Sequence, residues 1–546
     1  MLRAVIVLAL LSLAGCATIP STGPVLVGGP NTIESQIEVE FLPQGPDDGA
    51  TQREILDGFI NAGSAPQNNF RIARSFLTVE MALTWNPGRG TILRGSSDSV
   101  REISATEMTY SVEIESAIDE SGVLAIPSQA ETSEWNFSFS RVDGEWRLSD
   151  APDLTFISES AFSSAYGEYT AYFYNRDRTA FVPDVRVFAR QGNPLNSLAR
   201  AVIKGPSQYL PNASTAFPQG SELVGVLADV ELGNVTVDVS ETVSKASITD
   251  QQYMLSQLAA SIGELPDVNA TAISVNQLLL PIVAVPGLEP NPRVDDRPLI
   301  LLDSSFGYST ETGIESTYWN AASVVSLKPA SVSFDASTRT AAIGSPTGVY
   351  LLEDNIVPLS SRPSFVEPQI GGSQSVWWVK SDSPDRVFVF CDGRDFSFRG
   401  PWSGSAQVTA LEVSRDDARI AIGINDGGRA FIMVGAISVD IAGQPRFVSG
   451  YRSLNFSADS IVDLAWADAT HVAVLGNRDG IVHAELATVG GLSRLIGQPQ
   501  NPIRISGGNE GVEGLVVISA DGQLWRPRGT GWRSTGITAD VLATQH

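Results

Sequence analysis

From residue 298 onward the chain has no helical period, and short strand-like runs return at a spacing of roughly 40 to 50 residues. Ser331-Val332-Ser333-Phe334-Asp335 is followed by Ala341-Ala342-Ile343 and Val349-Tyr350-Leu351-Leu352. Comparable groups begin near Val376-Trp377-Trp378, Leu411-Glu412-Val413-Ser414, Val462-Asp463-Leu464-Ala465-Trp466 and Gly514-Leu515-Val516-Val517. Asp416-Asp417-Ala418-Arg419-Ile420-Ala421 reads as a turn running into a strand. A repeat of this length suits one four-stranded sheet, and a ring of such sheets covers each face with a neighbour. Residues 298–546 are therefore predicted to form an all-β propeller of about five or six blades; a pair of β-sandwiches is the competing arrangement.

The remaining residues divide into unlike pieces, as expected of a 546-residue chain too long for one core. Residues 36–157 place helices before strands. Thr51-Gln52-Arg53-Glu54 has capping-box spacing, and Ile55, Leu56, Phe59 and Ile60 continue it with helical apolar spacing. A second helical stretch covers about Phe70 to Trp85 and stops at Asn86-Pro87-Gly88. Alternating Met108, Tyr110, Val112 and Ile114, then Trp135, Phe137 and Phe139, read as strands, and Asp143-Gly144 as a hairpin turn. The expectation is an α+β domain, similar to the cone-shaped fold of nuclear transport factor 2.

Residues 158–280 lack tryptophan, whereas the segments on either side hold all ten. Two short strands (Tyr172–Tyr174 and Val185–Phe188) precede a helix opened by Asn193-Pro194 and ended by Gly205-Pro206. A hairpin about Gly233-Asn234, a helix over about Gln251 to Ile262 and a strand at Ala272–Val275 complete a compact α/β domain. Residues 281–297 carry four prolines and several charges, the composition of a semi-rigid linker.

Residues 1–15 have a positive Arg3, the apolar run Ala4 to Leu11 and small residues before Cys16. This order reads as a secretory signal ending in a bacterial lipobox, with Cys16 as the lipidated N-terminus of the mature chain. An ordinary signal peptide or a short buried helix is the plain alternative, and the run is too short to span a bilayer. Residues 16–35, rich in Gly, Pro, Ser and Thr, look like a flexible tether. The expected location is the extracytoplasmic face of the cell membrane, held there by lipid.

A net charge of −25 argues against nucleic acid as a partner and against adhesion to an anionic membrane surface. Cys16 and Cys391 are the only cysteines, so with Cys16 acylated no disulfide framework exists. Cys391, in Val387-Phe388-Val389-Phe390-Cys391, reads as a buried structural thiol. The three histidines, His471, His483 and His546, offer no metal-ligand spacing, and no Gly-x-Ser-x-Gly elbow accompanies them. Gly372-Ser373 and Gly404-Ser405 read as blade turns, and Gly427-Gly428 and Gly490-Gly491 lack the lysine of a phosphate loop. Asp295-Asp296 and Asp416-Asp417 read as solvated loop charge rather than a catalytic pair, and Asp47-Asp48 likewise. Trp377-Trp378 could offer a carbohydrate platform, although alternate strand residues face opposite ways and one of the two belongs in the core. No catalytic residue, cofactor or metal site is assigned, and a non-enzymatic binding protein is expected.

The chain resembles the LpqB lipoproteins of high-GC Gram-positive bacteria over its whole length. Leu13-Ala14-Gly15-Cys16 through Val25 is similar to that family's N-terminus. The middle domain resembles the GerMN domain of sporulation proteins through Tyr172-Phe173-Tyr174, Val182-Pro183-Asp184-Val185-Arg186-Val187, Leu198 through Pro206, Ala216 through Ser221 and Val235 through Ser240. The resemblance implies a membrane-anchored accessory protein acting with an MtrB-type sensor histidine kinase in cell-envelope homeostasis. Recognition of cell-wall glycan or peptidoglycan is the alternative, and an envelope hydrolase a third.

Overall fold

The computed structural model describes residues 43–546, except 128–130, 318–320, 441–443 and the single residues 192, 230, 311, 365, 381 and 457. The signal, Cys16 and the tether lie outside the described residues.

The first domain opens with the helix Gln52–Ala62, whose N-terminus is closed by the reciprocal Thr51–Glu54 capping box. Burial of Ile55, Leu56, Phe59 and Ile60 turns one face onto a mixed, mainly antiparallel sheet, against Trp85, Phe137 and Phe156. The helix expected over 70–85 is divided into Gln67–Arg74 and Val79–Thr84. The break has a tertiary cause. The Leu148 amide donates to Phe76 O and the Thr78 amide donates to Leu148 O, which takes the intervening backbone out of the helical ladder. The Asp143-Gly144 turn has positive φ at both residues, as a two-residue hairpin requires.

The second domain begins with the hairpin Tyr166–Tyr174 and Phe181–Ala189. Asn193 caps the helix Pro194–Lys204, and Gly205, at φ 111°, ends it in a conformation suited to glycine. A four-stranded sheet follows, in which Asn234–Val239 pairs antiparallel to Leu223–Asp229 and parallel to Ala270–Val275. The helix Ile248–Ile262 packs Met254, Leu258 and Ile262 into the same core as Val237, Val239 and Ile273.

Among the described residues the third domain is a ring of six sheets, six blades. The inner strands of blades 2 to 6 are Ser331–Asp335, Gln369–Gly371, Gln407–Val413, Ser460–Trp466 and Pro502–Ser506. Blade 1 is built from both ends of the domain: Val541–Leu542 joins Leu299–Leu302, Ser305–Thr310 and Gly313–Ser316. Thr544–Gln545 then pairs parallel to the inner strand of blade 2. One six-residue helix, Ala321–Ser326, interrupts the strands; it is too short to show a period in the sequence.

Among the described residues the inner strands of neighbouring blades form no ladder with one another, and their amides need other acceptors. Side chains supply some of them. Glu412 of blade 4 accepts the Trp466 amide of blade 5 at 2.6 Å, and Asp463 of blade 5 accepts the Ile505 amide of blade 6 at 2.9 Å. Ser333 of blade 2 accepts the Ile370 amide of blade 3 at 3.2 Å.

Candidate functional site

The residues with the most concentrated chemistry lie where the three domains meet. Asp184 and Arg186, two residues apart on one strand, are almost fully buried, and Arg186 Nη2 donates to Asp184 Oδ2 at 2.7 Å. The same carboxylate accepts the Ser207 amide at 2.7 Å, while Arg186 Nη1 donates to Ser121 O of the first domain at 2.9 Å. Arg452, on the outer strand of blade 4, stands 4.0 Å from Asp184 Oδ1 and donates to Leu124 O of the first domain. Its guanidinium also lies over the Tyr209 ring. One carboxylate between two guanidiniums therefore ties together all three domains. Leu93, Ile118 and Ile157 of the first domain add an apolar seam with Phe162, Tyr166 and Val187 of the second.

The linker is pinned as well. Asn291 accepts the Ala469 amide of blade 5, and Val294 donates to Asn509 of blade 6 at 2.8 Å. Asp295 lies in the linker, part-exposed, and is paired with Arg297 through contacts of 2.9 and 2.7 Å, which lower its carboxyl below the usual range. Asp416 departs from the expectation of solvated loop charge. It is buried, accepts from Arg419 Nε at 3.0 Å, and Arg419 in turn reaches Ala469 O of blade 5.

Trp377 and Trp378 are both buried, and neither offers a platform. Alternation does send them to opposite faces, Trp377 into the core shared with blade 4 and Trp378 into that shared with blade 2. In a ring, however, both faces of a blade are covered. Cys391 is a buried thiol, raised above its ordinary range by burial.

His483 is buried on Glu485 at 3.0 Å. His471 Nδ1 lies 2.9 Å from Asp468, with Thr470 as the neighbouring hydroxyl. His546 Nε2 lies 2.7 Å from Asp417 at the end of the ring where the inner strands finish. Burial pulls its imidazole down, but Asp417 and Asp335 outweigh burial and raise it. Among the described residues no cluster of three potential metal ligands occurs.

The opposite end of the ring, where the inner strands begin, is lined by propeller residues alone. A cavity of about 300 Å³ opens there between Ser331, Glu367, Thr409, Asp463 and Arg504. Glu367 and Arg504 form an ion pair, and burial lowers the guanidinium to about 10. Asp463 is raised to about 7 and Glu412, behind it, to about 8, in both cases because burial penalises the charged form.

Comparison with known families follows the domain order. Residues 45–163 match the profile described as "Lipoprotein LpqB, N-terminal domain". Residues 170–278 match "Sporulation and spore germination", and 318–540 match "Lipoprotein LpqB beta-propeller domain". The chain belongs to the LpqB lipoprotein family. Lipoprotein LpqB of Thermobifida fusca is 24% identical, with 88% of each chain covered. That of Cutibacterium acnes is 21% identical, over 87% of this chain and 86% of the relative. The tandem GerMN domains of GerM from Bacillus subtilis align over 23% of this chain and 44% of that one, at 22% identity and a TM-score of 0.19, too little to argue from. The LpqB resemblance read from the sequence is thereby confirmed, and the chain is a lipoprotein by family. Among the described residues no helix is long and apolar enough to cross a membrane.

The sequence reading missed Asp184, Arg186 and Arg452 as a unit, and missed Glu412 and Asp463 as inter-blade acceptors. One signal was present: a lone carboxylate inside an apolar strand, as in Leu411-Glu412-Val413 and Val462-Asp463-Leu464. The long-range triad had no local signature.

Proposed function

We propose that this LpqB-family chain is a non-enzymatic accessory protein, anchored through lipid on Cys16 at the extracytoplasmic face of the cell membrane. It binds the outer domain of an MtrB-type sensor histidine kinase and modulates signalling in cell-envelope homeostasis. The observation that carries this reading is the buried Arg452–Asp184–Arg186 junction, together with the pinned linker. Three domains fused in this way present fixed surfaces at fixed separations. A rigid body can prefer one conformation of a partner over another, and only such differential affinity shifts an equilibrium. The anchor confines the encounter to the membrane plane and raises its effective concentration.

The test pairs two measurements. Purified protein and the kinase's outer domain should associate in biolayer interferometry, and kinase autophosphorylation in proteoliposomes should change when the lipidated protein is present. Cys16→Ala should move the protein to the soluble fraction with its circular dichroism intact and abolish the effect in cells. Absence of association together with unchanged kinase output on deletion would sink the proposal.

A further inference from the structure

The cavity at the open end of the propeller is separated from the other two domains, whose contacts fall on the far end of the ring and on the outer strand of blade 4. Its charges are unbalanced. Of the two carboxylates in its wall, Glu367 is neutralised by Arg504. Asp463 has one oxygen engaged by the Ile505 amide, and only backbone amides oppose the effect of burial on it. A half-buried carboxylate without a countercharge is unfavourable, and an ammonium group placed beside it offsets that penalty. The remaining wall chemistry is hydroxylic and aliphatic. Ser331 and Thr409 supply hydroxyls, and Thr409 Oγ1 has no hydrogen-bond partner among the described residues. Its volume of about 300 Å³ accommodates one ring-sized molecule.

We propose that this cavity binds a small hydrophilic ligand bearing a protonated amine, of the size of an amino sugar or amino alcohol. The ammonium sits on Asp463, and the ligand's hydroxyl groups meet Ser331, Thr409 and the Glu367 carboxylate. Ligand binding and ionisation of Asp463 then reinforce one another, so at mildly acid pH the protein gives up a proton as the ligand enters. The site is independent of kinase docking, and either assignment can fail without the other.

The experiment is calorimetric titration of the detergent-solubilised full-length protein at pH 6. Glucosamine and ethanolamine serve as the cationic probes and glucose as the neutral control. Both amines should bind, glucose at least about ten-fold more weakly, and repeats in buffers of different ionisation enthalpy should report release of close to one proton. Asp463→Asn preserves an acceptor for the Ile505 amide and should lower amine affinity at least about ten-fold with the melting curve retained. Should that variant fail to fold, proton release in the unaltered protein still decides the matter. Silence with both amines at millimolar concentration, equal binding of glucose, absence of proton release, or full affinity in folded Asp463→Asn would each overturn the proposal.

Discussion

Glu412→Gln isolates the effect of a carboxylate buried between two blades. Glu412 is almost fully buried, accepts the Trp466 amide at 2.6 Å, and has its carboxyl raised to about 8 by burial. The folded protein therefore keeps a proton that the unfolded chain releases above its ordinary value of 4.5. Folded stability contributed by that proton is complete below pH 4.5 and is lost progressively up to about pH 8. At 1.36 kcal/mol for each pH unit, the loss is about 4 kcal/mol at pH 7.5 and about 1 kcal/mol at pH 5. Glutamine keeps the carbonyl acceptor for Trp466 and has no charge to bury. The variant should thus gain about 3 kcal/mol on wild type between pH 5 and pH 7.5. For a propeller of this size that is a relative rise in melting temperature of roughly 6–12 °C. Thermal unfolding followed by tryptophan fluorescence, wild type and variant in parallel at both pH values, measures it. A stability difference that is the same at pH 5 and pH 7.5 refutes the reasoning, whatever its sign.

Asp184→Ala strands Arg186 and Arg452 without their shared counter-ion and should cost about 3–5 kcal/mol in urea unfolding, with new proteolytic cuts at the domain junctions. Trp377→Ala should destabilise the propeller by about 3–5 kcal/mol in the same assay, because both faces of its blade are packed. Thr51→Ala removes one half of a capping box and should lower stability by only about 1 kcal/mol, read as a small shift in the urea midpoint.

Elements with a local cause were legible in the sequence. The Thr51–Glu54 cap, the Asn193-Pro194 helix start and the Asp143-Gly144 hairpin are each specified within a few residues. The split between Arg74 and Val79 was not, since its cause is Leu148, some 70 residues away along the chain. The expectation that only one of Trp377 and Trp378 is core came from a rule for two-layer sheets, where one face meets water; in a ring the second face is another blade's core. Asp416 read as loop charge because an arginine partner at i+3 looks ordinary until burial is known. The candidate site was the least legible part, because its residues come together only through tertiary contacts: Asp184 and Arg452 are 268 positions apart.

The pairing of Leu301 with Val541 also sets an order of assembly. Blade 1 lacks its inner strand until residues 541–542 are available, so the ring stays open for as long as the chain is still being delivered. Closing a loop of about 240 residues is the slow kind of contact, and open blade faces are the kind of surface that associates wrongly while it waits. The first two domains need nothing from the far end for their own cores and can fold ahead of it. The propeller is thus the last of the three domains to become native, and a chain held back before residues 541–542 should have its first two domains folded and its ring vulnerable to proteases.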